Sequence, residues 1–231
     1  MSQTAHDSVL HDLGLRIASG QIPPGTVLTL ANLEAHYGTS RTVIREAVRV
    51  LESKAMVESK RRVGVTVSPM SQWYVLDPEL IRWRLSSEAK AGQLVALTEL
   101  RTAVEPIAAR LAAVRATEDQ RAEINRHANV LQRLGSQSRG DSAEYLEADI
   151  AFHDCLLEAC GNLMFTAIQG PIAEMMRGRH HAGLHPETPV HASLHHHVEA
   201  AAAIVRGDAE AAERHVRAYT ESILQEVRTI G

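Results

Sequence analysis

An aspartate and a histidine four residues apart, Asp149 and His153, fall inside a stripe of apolar residues formed by Leu146, Ile150, Leu156, Leu157 and Cys160. Side chains at i and i+4 project over the same turn of a helix, so this pair could share one divalent metal ion. A carboxylate enclosed there needs a cation or strong donors, because a bare buried charge is too costly. A third candidate ligand stands in the run His195-His196-His197. The stripe Leu194, Val198, Ala201, Ile204 and Val205 takes in His197, whereas His196 points about 100° away and His195 is also off the stripe. His195 and His196 are expected to face solvent, with His191 nearer the edge. Asp149, His153 and His197 would leave positions open for water or an exogenous group. The competing reading is a hydrogen-bonded Asp-His-His core cluster without metal.

The same pattern recurs in two further helices. Arg101 and Glu105 sit among Leu97, Val104 and Ala108. A buried guanidinium needs an anionic partner, and its planar fork suits a carboxylate. That partner is either Glu105 or a bound anion. Near the C-terminus, Ala212, Val216, Tyr219 and Ile223 form a stripe with His215 at its edge. Tyr219 is a core residue hydrogen-bonded to the site or a weak ligand, and His215 could enter from one turn earlier.

A second kind of chemistry lies in residues 30 to 62, where charge points outward. Ile44, Ala47, Val48 and Leu51 mark the buried side of a helix at i, i+3, i+4 and i+7, while Arg41, Arg45 and Arg49 repeat every four residues on another face. Leu30, Leu33 and Tyr37 predict a short preceding helix that stops at Gly38, and Ser40 is a good N-cap for the next. Helix, glycine turn and second helix make the helix-turn-helix plan, which sends the start of the second helix into the major groove. Val63, Val65 and Val67 alternate as in a strand, with Lys60, Arg61, Arg62 and Gly64 at the turn, which predicts a two-stranded basic wing. Between Arg41 and Arg62 seven Lys or Arg face three Glu, although the chain as a whole carries −4. Such a local basic footprint suits phosphate contacts.

The elements that position these residues follow from the rest of the pattern. At 231 residues the chain can hold one large or two smaller domains, and with only 3% aromatics its apolar positions suit helix-on-helix packing. No apolar run approaches the ~20 residues of a membrane span and no secretory pattern opens the chain, so a cytoplasmic location is expected. Cys155 and Cys160, five apart on one predicted helix, match neither a metal pair nor a redox pair and read as reduced packing residues. A seam at Ser68-Pro69 separates a winged unit, 1–69, from a linker, 70–76, and an all-α domain, 77–231. Val9, Leu10, Leu13 and Ile17 predict the first helix of that winged unit. Helices are predicted over 77–86, 91–115, 118–134, 142–160, 162–182, 190–206 and 209–228, with kinks at Pro106 and Pro171. The fold class is mainly α: an N-terminal winged helix-turn-helix and a C-terminal antiparallel helical bundle.

The run Ser40-Arg41-Thr42-Val43-Ile44-Arg45-Glu46-Ala47-Val48-Arg49-Val50-Leu51-Glu52 closely resembles the recognition-helix signature of the GntR family of bacterial transcription regulators. The proline-glycine turn from Gly20 to Gly25 is similar to that family's as well. Leu100 through Pro106, Asp149-Ile150-Ala151-Phe152-His153, Gly161-Asn162 and His197 through Gly207-Asp208 resemble the FadR subfamily, whose helical effector domain is called FCD. Ser59 through Gly64, Trp73, Leu76-Asp77-Pro78 and Trp83 are similar to repressors of sugar-acid catabolism of the galactonate type.

The resemblance implies Ser40, Arg41, Thr42, Arg45, Arg49, Arg62 and Gly64 as the DNA-binding set. It implies Arg101, with Tyr219, for the effector carboxylate, and Asp149, His153 and His197 for a divalent metal, Zn with Ni and Mn as alternatives. The family's fourth ligand is a histidine where this chain has Tyr219, and His215 is the candidate replacement. Ala55 replaces a glycine usual after the recognition helix, and Val65 a threonine usual after the wing glycine. The expected protein is a homodimeric repressor, not an enzyme, on a palindromic double-stranded operator, released by a small carboxylate such as an aldonate. An FCD regulator sensing an acyl or other apolar ligand without metal is the alternative. A metal-dependent hydrolase is the remote one, since the sequence offers it no obvious nucleophile or poised base.

Overall fold

Val9, Leu10, Leu13 and Ile17 lie on one face of helix α1 (Ala5–Ala18), and that face seeds the first core. The computed structural model describes residues 5–184 and 191–229, without the side chains of 191–193. The expected edge position of His191 therefore lies outside the described residues. Strand β1 (Val27–Leu28) precedes helix α2 (Leu30–Tyr37), whose N-cap Thr29 accepts from the Asn32 N–H. The helix ends at Gly38 with φ of 59°, a left-handed conformation that favours glycine. Helix α3 (Arg41–Ser53) begins at Ser40, whose hydroxyl accepts from the Val43 N–H, and it buries Ile44, Ala47, Val48 and Leu51 as its spacing predicts.

Past α3 the chain turns at Ala55, at φ of 57°, in the left-handed region that explains the usual glycine there. Strands β2 (Val57–Lys60) and β3 (Gly64–Val67) pair antiparallel, with Lys60 opposite Gly64. The wing has a third strand that the sequence pattern did not show, because β1 pairs with β3 and the sheet order is β1-β3-β2. Val63 is not in the strand. It stands half exposed in the turn with Arg61 and Arg62. A Cβ on Gly64 would come within 2.6 Å of the Leu28 carbonyl, so β1 packs too close there for any side chain.

The chain divides into two compact units, 1–90 and 91–231, so the division falls later than the expected 69–77 seam. The reason is packing. Helix α4 (Pro78–Leu85), capped by Asp77, places Leu80 and Trp83 in the N-terminal core, and the Trp83 indole N–H donates to Nδ1 of His11 at 3.2 Å. A Cβ on Gly14 would meet the Trp83 ring at 2.5 Å, which explains a glycine inside α1.

The second unit is helical throughout its described residues. It comprises α5 (Lys90–Arg115), α6 (Glu118–Ser136), α7 (Ala143–Ala159), α8 (Leu163–Thr166), α9 (Gln169–His181), α10 (His191–Arg206) and α11 (Ala209–Arg228). Side-chain caps at Thr117, Ser142, Asn162 and Asp208 start four of these helices, Thr117 through a full capping box with Gln120. The expected single helix over 162–182 is two, broken at Ala167 and Ile168. Pro171 therefore lies in the first turn of α9, where its missing N–H leaves no helix bond unmade. Helix α5 runs through Pro106 without interruption. The core gathers alanines of α5, α10 and α11 around Ile124, Leu131, Phe152, Leu156, Ile204 and Val216. Val205, expected in the stripe of α10, is instead 45% exposed, and Ala200 and Ala203 are buried. No described helix is long and apolar enough to cross a membrane.

Candidate functional site

Two arrays of charge result, one on each unit. On the first, Arg41, Thr42, Arg45 and Arg49 are all exposed along α3. Arg49 is held by Glu46 at 2.7 Å, and Arg41 lies 3.7 Å from Glu34 of α2. The wing is fixed to this helix by Glu52, whose Oε1 accepts from the Ser59 N–H at 2.9 Å. Between them lies a recess of about 310 Å³ lined by Arg45, Val48, Arg49, Ser59, Lys60 and Gly64. Arg62 is exposed at the wing turn with φ of 67°. Lys54, counted in the basic footprint, is not part of this face. It is 8% exposed and its ammonium binds Asp77 at 2.8 Å and Glu79 at 3.1 Å, 5.9 Å from the Trp83 ring centre. Six of the seven basic residues from 41 to 62 therefore remain exposed.

The second array is buried. Asp149 and His153 of α7 meet His197 of α10, and one ligand atom from each lies within 4.8 Å of the others. Asp149 Oδ1 stands 3.4 Å from Nε2 of both His153 and His197, too long for a good hydrogen bond. That oxygen is buried without a hydrogen-bond partner of regular geometry. Ligands at ~2.1 Å around a tetrahedral ion stand ~3.4 Å apart, so the donor set and its spacing fit a Zn-type centre. The Phe152 ring packs edge-on to both imidazoles.

Helix α5 braces the centre from the other side. Arg101 Nε donates to Glu105 Oε1 at 2.7 Å, and its Nη2 reaches Nε2 of His153 at 2.9 Å. Glu105 Oε2 faces Nδ1 of His153 at 3.1 Å and accepts from the Tyr219 hydroxyl at 3.2 Å. In the neutral ring these contacts put the hydrogen on Nδ1, directed at Glu105, and the lone pair on Nε2, toward the guanidinium; in the protonated ring Nε2 faces Asp149 as a donor. A carboxylate on the outer nitrogen of a ligand histidine fixes its tautomer and ring orientation. The sequence pattern offered Glu105 only as a partner for Arg101; the structure makes it the group that joins Arg101, His153 and Tyr219.

The electrostatics follow from these contacts. Burial alone would raise the Glu105 carboxyl, yet Arg101 and His153 hold it at about 2. Burial also opposes ionisation of Asp149, but the two histidines keep its pKa well below the ordinary value. Burial would lower the Arg101 guanidinium, and Glu105 overcomes that and raises it. The Tyr219 phenol is pushed well above its usual range by burial and by Glu105.

Tyr219 stacks on His197 at 4.3 Å with its hydroxyl on Glu105, so it is a core residue bonded to the site and not a fourth ligand. His215 does not enter the centre either. Its Nδ1 lies 3.1 Å from Nδ1 of His196, which is half-buried instead of facing solvent, while His195 is exposed as expected. Arg179 was missed. It is 6% exposed, binds Glu226 at 3.0 Å and acts electrostatically on Asp149 and Arg101. Ile172, Met175, Met176 and Arg179 share the spacing of one helix face, the signal that had revealed Arg101.

Residues 5–67 match the model of the bacterial regulatory proteins, gntR family, and residues 96–222 match the FCD domain. The chain is similar to the galactonate operon transcriptional repressor of Escherichia coli (strain K12), 33% identical over 77% of this chain and 76% of that protein. It is 30% identical to the HTH-type transcriptional regulator YieP of the same organism over 91% of this chain and 90% of the relative. Among solved structures, the Lar regulator that controls the Listeria monocytogenes agr system superposes with a TM-score of 0.63 at 15% identity, covering 100% of both chains, a likeness of fold alone.

Proposed function

The chain belongs to the gntR family of bacterial regulatory proteins and carries an FCD domain, so it is a DNA-binding transcriptional regulator and not an enzyme; from that premise we propose that it represses a sugar-acid catabolic operon and is released by a small hydroxycarboxylate such as an aldonate. One observation carries the reading: Asp149, His153, His197 and Arg101 converge on a single buried centre. Asp149, His153 and His197 would hold a divalent ion, which when bound supplies a Lewis-acidic point for a carboxylate with its adjacent hydroxyl. The His153 Nε2 lone pair cannot serve the ion and the Arg101 N–H together. An anionic effector gives Arg101 another acceptor, which frees that lone pair, so the two ligands favour each other. Binding to one arrangement of the centre then weakens DNA binding only through differential affinity for the two states. On the DNA side, a homodimer would set two copies of α3 in successive major grooves of a palindromic operator, with Ser40, Arg41, Thr42, Arg45 and Arg49 at the helix and Arg62 and Gly64 at the wing.

The test is operator-fragment anisotropy with galactonate and a panel of other sugar acids, on protein loaded with Zn and on protein stripped by chelator. Release by an aldonate in the loaded protein, lost in Arg101→Lys, is expected. Release that survives unchanged in Arg101→Lys removes this residue from the effector role, and release by no sugar acid overturns the substrate class. A metal-free sensor is the second reading, favoured by one specific observation: Arg101 already occupies His153 Nε2, and the Tyr219 hydroxyl is turned to Glu105 and not to the centre's ligand atoms. Identical release before and after chelation would establish it.

A further inference from the structure

The triple histidine contributes one ring to the buried centre and leaves two. His196, from α10, and His215, from α11, bring their Nδ1 atoms to 3.1 Å with ring centres 5.3 Å apart. The His195 ring lies beside them, 5.5 Å from His196 and 6.1 Å from His215, outside the pair itself. Only one hydrogen fits between two facing nitrogens, so at least one ring offers a lone pair. Two nitrogens bound to one ion at ~2.0–2.1 Å stand ~2.9–3.4 Å apart for bond angles from square to tetrahedral, and the observed separation falls in that interval. Both rings are half-buried at the surface, which leaves room for water to complete the coordination.

We propose that His196 and His215 form a second metal site, separate from the Asp149 centre, that takes one first-row divalent ion of the Zn, Ni or Cu type and staples α10 to α11. Imidazole ligands suit these ions, and water would complete the shell around the two nitrogens. The site asks nothing of Asp149 or Arg101, so it stands or falls independently of the effector reading. A staple at this place also holds the helix that carries His197, the next residue along.

The experiment is a zinc titration of the full chain followed by calorimetry and by elemental analysis after dialysis. Wild type is expected to take two ions per chain, H196Q/H215Q one, and D149N one. Zinc should raise the melting temperature of D149N, and the triple variant D149N/H196Q/H215Q should lose that rise. Both residues are partly exposed, so their replacement leaves the core intact, and circular dichroism checks this. Zinc-induced shifts of the His196 and His215 imidazole nitrogens in the wild-type chain give a readout that needs no variant. Unchanged zinc stoichiometry and affinity in H196Q/H215Q, or no shift of these nitrogens on zinc addition, overturns the proposal. Binding lost entirely in D149N overturns it as well, whereas a wild-type chain that takes a single ion, kept in D149N and lost in H196Q/H215Q, would sink the metal part of the effector reading and leave this one standing.

Discussion

The two units place arginine under opposite conditions. On α3, Arg41 and Arg49 are 67% and 61% exposed, and their carboxylate partners Glu34 and Glu46 are 30% and 49% exposed. In the helical unit, Arg101 is 2% exposed and its guanidinium is committed to Glu105 and His153. The first arrangement costs almost nothing to build and retains its charge for a polyanion. The second must be satisfied on every side, because water cannot compensate what the protein fails to supply. Exposed cations therefore report a partner outside the molecule, and enclosed ones report a balance inside it that a small ligand can tip.

The largest effect that would break this contrast is on stability. Arg101→Ala takes the guanidinium from a buried carboxylate, leaving Glu105 only His153 and Tyr219, and should cost ~3–5 kcal/mol. Adding Glu105→Gln should recover part of that loss, which a double-mutant cycle by urea unfolding would measure. Arg45→Ala should leave unfolding within ~0.5 kcal/mol of wild type and weaken operator binding by ~1–3 kcal/mol. Equal stability losses at the two positions would remove the distinction between outward and enclosed charge.

The same contrast governs what could be read from the chain. Helix periodicity is a property of one element, so the outward face of α3 and the inward placement of Arg101, Asp149, His153 and His197 were legible. The joint role of Glu105 depends on how α5 and α11 meet α7, and no spacing within one helix carries that. His215 illustrates the limit: its edge position was correct, and only the facing of α10 and α11 decided that it meets His196. Strand β1 has two residues, too few for any period, and the break between α8 and α9 carries no glycine or proline. The late division of the units hid in Gly14, a helix glycine whose reason is the Trp83 ring it accommodates.

Lys54 is the exception within the DNA-binding unit, an enclosed cation among exposed ones, and it sharpens the comparison at intermediate magnitude. Its partners Asp77 and Glu79 are 25% and 33% exposed, so solvent screens part of the interaction. Lys54→Met should cost ~1–2 kcal/mol. Burial would raise the Asp77 carboxyl, but Lys54 and the helix N–H groups hold it below the ordinary carboxylate value. A depressed pKa contributes stability that is complete above the unfolded value of ~3.9 and disappears as pH falls through the folded one. The chain's two tryptophans, Trp73 and Trp83, both lie in the N-terminal core, so their fluorescence reports this unit selectively. Acid unfolding followed in this way should begin below about pH 4 in wild type, and Lys54→Met should flatten that pH dependence. An unchanged acid limb would show that Asp77 draws its stabilisation from the α4 cap alone.

The smallest effect tests whether the surface pairs on α3 matter at all. Arg49 and Glu46 are 2.7 Å apart but both exposed, and such pairs contribute ~0.5 kcal/mol or less. Arg49→Ala should thus leave the unfolding curve almost unmoved. If Arg49 leaves Glu46 for a phosphate on DNA, the slope of log K against log salt should become shallower by about 0.9, and Glu46→Gln should tighten binding because nothing then competes for the guanidinium. If Arg49 stays with Glu46 in the complex, neither variant changes the slope, and the ion pair serves only to order the helix face. A stability loss above ~1 kcal/mol in Arg49→Ala would place this arginine with Arg101 and not with Arg45, and exposure would no longer separate the two kinds of charge.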